Sequence, residues 1–283
     1  MKLIQYSTET SQYNGPFGPK AGWAAAGMGY IVKTDNGKLV VIDGGWEEDA
    51  EGFVRALEIN ADGKKPIVDA WIITHPHEDH YYALRKIAKD PALCARLEIK
   101  QIIYDYRVDS LSNEPTDYVK EGERDMEYIL SQTSAKAYLP SVGEELRIDT
   151  LKITFLFTPN GEKNLPNANF MSLIFIIEDE KSGKRCMFTG DAAPRTMQAA
   201  LDGYKGSLAC NALQLPHHGL CDTGHLEFYK AVNADMVLIP TCIAGDACMR
   251  TDLYGGAPQV NLWAENNAKK VYKAFEGTQT IEL

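Results

Sequence analysis

Three histidines and an aspartate lie within six residues, directly after a run of apolar residues. The run Val68–Ile73 has the length and composition of a buried β-strand, and Pro76 prevents that strand from continuing. Residues 75–80 then read His-Pro-His-Glu-Asp-His and contain half of the chain's six histidines. Functional sites are commonly built on loops at strand ends. The strand end is therefore expected to present several imidazoles together.

The spacing within this loop predicts ligands for two metal ions. Imidazole and carboxylate both bind zinc and its neighbours in the first transition row. His75 and His77 are two residues apart and point the same way in an extended backbone, whereas Asp79 and His80 point elsewhere. One ion would be bound by His75 and His77 and a second by Asp79 and His80. A surface turn with unrelated histidines is the alternative, and the clustering argues against it.

Through these residues the chain resembles the metallo-β-lactamase superfamily. The hallmark His-x-His-x-Asp-His after a strand is matched at every specified position of residues 75–80. A second likeness is the apparent strand Lys38–Asp43, which ends at two glycines. The resemblance implies a metal-dependent hydrolase in which Asp43 supports the metal loop from behind rather than binding metal directly.

A later strand end supplies a carboxylate. Asp191 follows Gly190 at the end of the apparent strand Cys186–Thr189. A carboxylate there can bridge two cations, since its two oxygens match the spacing of paired metals. Asp191 could instead be the N-cap of a helix that follows. The resemblance implies the bridging role.

Another strand end carries two adjacent histidines, His217 and His218, before Gly219. The resemblance implies that His218 is the last metal ligand, since that ligand commonly precedes a glycine. His217 could be the ligand instead. Otherwise it would lie beside the metals as an acid or as a stabiliser of negative charge. The candidate metal ligands are thus His75, His77, Asp79, His80, Asp191 and His218.

One part of the chain departs from the superfamily pattern. Most members carry a further histidine between the first loop and the Gly-Asp, and this chain has none between His80 and His217. Asn169 stands there instead, three residues before Ser172. This feature is similar to the hydrolase domain of competence DNA-uptake proteins and to the related phosphorylcholine esterases. Two divalent ions are implied, zinc or alternatively manganese, with Asn169 completing the surroundings of one directly or through water.

The order of apparent elements predicts the fold class. Strands come as hairpins early in each half and alternate with helices, the last of which is expected over Asn261–Phe275. No linker or repeat is visible, so residues 1–283 are predicted to form a single domain. The pattern and the resemblance together imply an α/β (α+β) protein with a four-layer αββα sandwich, the metallo-β-lactamase fold.

Composition limits the partners. The net charge of −10 and the lack of a basic stripe argue against binding to long nucleic acid. No apolar run approaches a membrane span and no export signal is visible, which predicts a cytoplasmic protein. Six scattered cysteines without a Cys-x-x-Cys indicate reduced thiols. A small, anionic substrate remains compatible with a cationic metal site. The sequence makes no prediction of oligomeric state.

These observations predict a metal-dependent hydrolase that uses a metal-bound hydroxide, and the resemblance implies that its substrate is a phosphodiester or phosphoester, which the acidic charge predicts to be small. The catalytic candidates are Asp79, which would hold the hydroxide, and Asn169 and His217, which would stabilise charge on the substrate. The first alternative is hydrolysis of a lactam, lactone or thioester at the same dinuclear site. The second is a non-catalytic metal-binding module, and a redox diiron site is a weaker third. Substrate specificity is expected to lie in the loops Tyr104–Asn113 and Gly245–Gly256.

Overall fold

The computed structural model describes residues 1–16, 26–106, 111, 117–220, 224–250 and 258–283. Within these residues, two β-sheets face each other and helices cover their outer sides. The central strands of both sheets are buried along almost their whole length, because each sheet is covered by the other sheet on one face and by helices on the other.

The first sheet has eight strands in the order β15-β1-β2-β3-β4-β6-β7, with β5 pairing beside β4. Strands β3, β4, β6 and β7 pair in parallel, whereas β15, β1, β2 and β3 pair antiparallel. The strands are β1 (Lys2–Gln5), β2 (Gly29–Lys33), β3 (Leu39–Asp43), β4 (Ile67–Ile72), β5 (Glu98–Ile99), β6 (Gln101–Ile103), β7 (Lys136–Tyr138) and β15 (Gln279–Glu282).

The second sheet has seven strands in the order β14-β13-β12-β11-β10-β9-β8. It is antiparallel from β8 to β11 and parallel from β11 to β14. The strands are β8 (Glu145–Ile148), β9 (Leu151–Phe157), β10 (Ile174–Asp179), β11 (Lys184–Phe188), β12 (Ala212–Gln214), β13 (Met236–Ile239) and β14 (Lys270–Lys273).

Three apolar layers hold the sheets and helices together. One lies between the sheets, one joins the first sheet to the helices of the first half, and one joins the second sheet to those of the second half. The helices are α1 (Ala50–Asn60), α2 (Glu78–Lys89), α3 (Pro91–Cys94), α4 (Asp117–Thr133), α5 (Pro194–Gly203), α6 (Leu226–Val232), α7 (Ile243–Met249) and α8 (Pro258–Asn267). The predicted αββα sandwich is confirmed.

The predicted last helix is wrong at its C-terminal end. Helix α8 ends at Asn267, and Lys270–Lys273 form the edge strand β14 instead of continuing the helix. The backbone N–H groups of Lys269 and Lys270 both donate to the carbonyl of Asp235 at the base of β13. This pairing offers the backbone a sheet partner, which outweighs the helical propensity of the segment.

Two further findings concern the described residues. None of their helices has both the length and the apolar character needed to cross a lipid bilayer. Their five cysteines are free thiols, including Cys242 and Cys248, which lie close together in sequence.

Candidate metal centre

The loop between β4 and α2 is fixed from behind by Asp43. The backbone N–H and the hydroxyl of Thr74 donate to the two carboxylate oxygens of Asp43 at 2.8 and 2.9 Å. The Nδ1 atom of His80 donates to the same carboxylate at 2.8 Å. Asp43 is fully buried at the end of β3, and its φ of 53° belongs to the left-handed region. The expected supporting role of Asp43 is therefore what the geometry shows.

Four turns bring the sequence-predicted side chains to one place. The donor atoms form two groups in which all atoms lie within 4.8 Å of one another. One group comprises Asp79, His80, Asp191 and His218, and the other comprises His75, His77 and Asp191. All six candidate ligands are thus brought together, in the pairing that their spacing predicts, and Asp191 belongs to both groups.

The first group, which we call the buried position, consists of two imidazoles and two carboxylates. His218 Nε2 lies 2.9 Å from Asp79 Oδ2 and 3.6 Å from Asp191 Oδ2. His80 Nε2 lies 3.3 Å from Asp191 Oδ1 and 3.7 Å from Asp79 Oδ2. The Nδ1–H of His218 donates to the carbonyl of Pro240 at 2.6 Å, which turns its Nε2 towards the carboxylates. An outer partner of this kind fixes the ring orientation of metal-binding histidines.

The second group, which we call the rim position, has fewer donors. His75 Nε2 lies 3.0 Å from His77 Nδ1 and 3.8 Å from Asp191 Oδ2. The Nδ1 atom of His75 lies 3.2 Å from the hydroxyl of Thr74. Because that hydroxyl donates to Asp43, its oxygen is left to accept from His75. His75 is buried and His77, the residue before α2, is partly exposed.

The carboxylates control the charge of the buried imidazoles. Burial opposes charge on His80, but Asp191, Asp79 and Asp43 hold the pKa of His80 well above its usual value. Burial likewise opposes charge on His218, and Asp191 and Asp79 raise its pKa. Protons on these two rings balance the carboxylates when no cation does so.

The pKa values of two neighbouring groups, His75 and Asp191, are lowered instead. Burial and the nearby His80 hold the pKa of His75 well below its usual value. Burial favours a protonated Asp191, but the surrounding imidazoles, His80 foremost, hold its pKa well below the usual range. Asp191 is therefore an ionised carboxylate among rings, which suits a bridging ligand.

Gln214, which the sequence did not single out, holds two turns of the site together. The side-chain oxygen of Gln214 accepts from the backbone N–H of Thr189 at 2.8 Å, and its amide nitrogen donates to the carbonyls of Gly190 and Leu215. Gln214 is fully buried between the turn that carries Asp191 and the turn that carries the two histidines. No motif marks a glutamine for this task, since two of its partners, Thr189 and Gly190, are distant in sequence.

The Gly190–Asp191 turn is also held by Ser172 and packs against the first histidine loop. The backbone N–H of Asp191 donates to the hydroxyl of Ser172 at 3.0 Å. Gly190 has a φ of 53°, and a Cβ there would lie 2.8 Å from the Cβ of Thr74. Glycine is therefore required for the approach of this turn to the histidine loop. The N-cap of α5 is Ala193, so the alternative capping role of Asp191 is not what the structure shows.

We expect Gln214→Ala to lower the free energy of unfolding by about 2–4 kcal/mol, because it leaves a buried N–H and a buried carbonyl without partners. It should also weaken metal binding, since the Asp191 and His218 turns keep only the hydrogen bond from the His217 N–H to the Gly190 carbonyl and lose the bridge through Gln214. Chemical denaturation and a metal titration measure the two effects. The exposed Gln132→Ala is the matched control and should change neither. A Gln214→Ala protein with wild-type stability would contradict this role.

The structure distinguishes between the two adjacent histidines. His218 is buried and belongs to the buried position, whereas the side chain of His217 is 28% exposed. His217 Nε2 lies 3.8 Å from Asp191 Oδ2 and 3.4 Å from the Nδ2 atom of Asn169. Both histidines have left-handed backbones, with φ of 49° and 56°. Asn169 and His217 thus form a partly exposed pair beside the cluster.

The donor set fits divalent cations. His80 Nε2, His218 Nε2 and Asp191 Oδ1 are inaccessible to solvent, and their short contacts with one another and with Asp79 do not have the geometry of hydrogen bonds. Buried polar atoms in proteins are normally hydrogen-bonded, so a convergence of such atoms points to a missing ligand. Nitrogen and carboxylate donors at these separations are typical of zinc and manganese sites.

The binding of a cation at the buried position should release protons. With raised pKa values, His80 and His218 are protonated in the metal-free protein near pH 6, and metal ligation requires both neutral. Metal affinity should therefore rise with pH until it passes the raised pKa values, with about two protons released per ion near pH 6. Calorimetry in buffers of different ionisation enthalpy measures this number. Release of no protons would show that these rings are not ligands.

The loops expected to set specificity are only partly described. Tyr104 and Tyr106 lie with their ring centroids 5.2 Å apart, and Tyr106 is buried. Arg250 is engaged in ion pairs with carboxylates of α7 and α8 rather than reaching the metal cluster. Arg107 and Tyr254 lie outside the described residues.

Comparison with known proteins agrees with the geometry. Residues 25–126, which contain the first histidine loop, match the model of the metallo-beta-lactamase superfamily. No curated protein sequence matches the chain significantly. The match covers 102 of the 283 residues.

Solved structures share the fold at low sequence identity. Zn²⁺-bound PqqB from Methylobacterium extorquens is 10% identical with a TM-score of 0.57, each chain covered completely. Yeast PDE1 is 14% identical with a TM-score of 0.54 over 100% of this chain and 99% of that chain. The metallo-beta-lactamase fold protein YhfI from Bacillus subtilis is 15% identical with a TM-score of 0.52, each chain covered to 99%. At these identities the likeness is one of fold.

Proposed function

We propose that the chain is a metal-dependent hydrolase of a small phosphodiester or phosphoester. The observation that carries this proposal is Asp191, a buried carboxylate shared by two adjacent groups of metal-binding donors. Two divalent cations at such a site supply Lewis acidity and lower the pKa of water to about 7. The residues that would hold them are His75, His77, Asp79, His80, Asp191 and His218.

Asp79 is suited to orient the attacking water. Although burial opposes its ionisation, His80 and His218 lower the pKa of Asp79, so it is an ionised acceptor. One of its oxygens faces His218 at 2.9 Å. The carboxylate would accept a hydrogen bond from the water and hold it in position for attack.

Asn169 and His217 would act on the substrate. Their side chains touch at the open side of the cluster, and the Asn169 backbone is fixed because its N–H donates to the side chain of Asn167 at 3.1 Å. Donors placed in advance at the point where negative charge develops stabilise the transition state without reorganisation. Asn169→Ala and His217→Ala should therefore lower kcat more than they raise KM.

The phosphoester class is supported by sequence and charge. The Asn169-to-Ser172 feature is similar to that of phosphorylcholine esterases, and the net charge of −10 disfavours long polyanions. A small anion can still be attracted by cations within the cluster.

A substrate panel tests the proposal. The protein reconstituted with Zn²⁺ or Mn²⁺ is expected to hydrolyse bis-p-nitrophenyl phosphate, and Asp79→Asn should remove most of this activity. The exposed Asp202→Asn is the matched control. Turnover of only a chromogenic lactam or a thioester would instead make the site an acyl hydrolase. Complete metal binding without turnover of any ester would identify a metal-binding module.

A further inference from the structure

We infer that the two metal positions are unequal: the buried position retains its cation, and the rim position takes up a second cation only weakly unless an anionic substrate accompanies it. This inference rests on the proposed function for its substrate. It makes the second ion, rather than the first, the component whose supply controls activity.

The buried position has the donors for a resident ion. It offers four donor atoms from Asp79, His80, Asp191 and His218, all of them buried. Both imidazoles are fixed by outer partners, Asp43 for His80 and the Pro240 carbonyl for His218. These four prearranged donors would hold a divalent cation by themselves.

The rim position has fewer and less constrained donors. It offers three atoms, and one of these is on Asp191, which the buried position also uses. His75 and His77 are its only exclusive donors within that group, and His77 is partly exposed. No histidine occurs between His80 and His217 to add a third imidazole. Solvent or substrate must therefore supply the remaining ligands.

Charge strengthens the difference between the positions. Among the described residues, the carboxylates that contact the buried imidazoles are Asp43, Asp79 and Asp191. One dication leaves these three carboxylates with an excess of one negative charge, whereas two dications leave an excess of one positive charge. In a buried site an uncompensated charge is costly. While the water at the cations is not ionised to hydroxide, a phosphodiester, which carries one negative charge, would compensate this excess.

Cation and anion binding should consequently favour each other. If an anion tightens the second cation, the second cation must tighten the anion by the same factor, because binding linkage is reciprocal. A neutral ester lacks this charge and would bring no such gain. The rim position therefore selects for anionic substrates through its need for charge balance.

Metal titration of the metal-free protein tests the inference. Calorimetry with Mn²⁺ should resolve two binding events whose affinities differ on the order of 10- to 100-fold. Dialysis followed by elemental analysis should leave one ion per chain. Dimethyl phosphate, an inert monoanion, should tighten the weaker event about 5-fold or more, and neutral trimethyl phosphate should not. Two events of equal affinity, or no effect of dimethyl phosphate, would overturn the inference.

Variants assign the two events to the two positions. His77→Ala should remove the weaker event and leave the tighter one, whereas loss of the tighter event would overturn the assignment. His225→Asn is the control, because asparagine retains the cap that His225 provides to the N–H of Phe228 and removes an imidazole outside the cluster. It should leave both events unchanged.

The outcome is separable from that of the proposed function. Unequal binding in a protein that hydrolyses no ester would support the inference and refute the hydrolase. Equal, tight binding of both ions in an active phosphodiesterase would refute the inference and support the hydrolase.

Discussion

Replacing Asp191 with asparagine is expected to lower kcat/KM towards a phosphodiester by about 10³-fold, which corresponds to about 4 kcal/mol of transition-state stabilisation. Asparagine has the same shape but lacks the charge, and its NH₂ group would face imidazole nitrogens that now face a carboxylate. Oδ1 of Asp191 faces His80, and Oδ2 faces His75 and His218. The variant therefore weakens both positions together. Steady-state kinetics and metal analysis of the same sample measure the effect.

The variant should retain the backbone of its turn. The N–H of residue 191 donates to Ser172 and does not depend on the side chain. Thermal unfolding of the metal-free Asp191→Asn protein should therefore show a folded chain, and the exposed Asp202→Asn should match wild type in every measurement. Activity within 10-fold of wild type, with the metal content retained, would show that this carboxylate does not bridge the metals.

The first histidine loop was predictable from sequence because its four ligands are neighbours in the chain. The spacing of His75 and His77 sets the direction of their side chains, and α2 begins at Glu78, so Asp79 and His80 fall in its first turn. The layered fold was predictable for a similar reason, since hairpin turns and apolar runs of strand length are local patterns. In these cases a short segment of sequence is enough to predict the local structure.

The remaining parts depend on contacts that are distant in sequence. Gln214 and Ser172 matter because they join turns that only the folded chain brings together, and neither belongs to a pattern in its own segment. The distinction between His217 and His218 depends on two consecutive left-handed residues, which the sequence does not specify. The strand β14 forms because β13 offers an edge, and the local sequence alone favours continuing the helix.

Replacing Asp43 with alanine is expected to lower the free energy of unfolding by about 3–5 kcal/mol, although this residue lies behind the donors. Its carboxylate accepts from the N–H and hydroxyl of Thr74 and from His80 Nδ1, all of them buried. Alanine leaves these donors without that acceptor and removes one of the three carboxylates that face the His80 ring. Chemical denaturation of the metal-free protein measures the loss.

Part of that loss could come from the backbone, since Asp43 has a φ of 53° and alanine disfavours the left-handed region. Asp62 has a φ of 56° but a 75% exposed side chain, so Asp62→Ala measures the backbone cost in the same protein together with the loss of one surface ion pair, to Lys33, which is worth about 0–1 kcal/mol. The excess of Asp43→Ala over Asp62→Ala then belongs to the hydrogen bonds. Asp43→Asn should be intermediate in stability and should weaken the first metal-binding event about 10- to 100-fold, because it keeps an acceptor but not the charge that orients His80. Equal losses in Asp43→Ala and Asp62→Ala would show that Asp43 contributes only a backbone conformation, and the histidine loop would then have to be held in place by its packing alone.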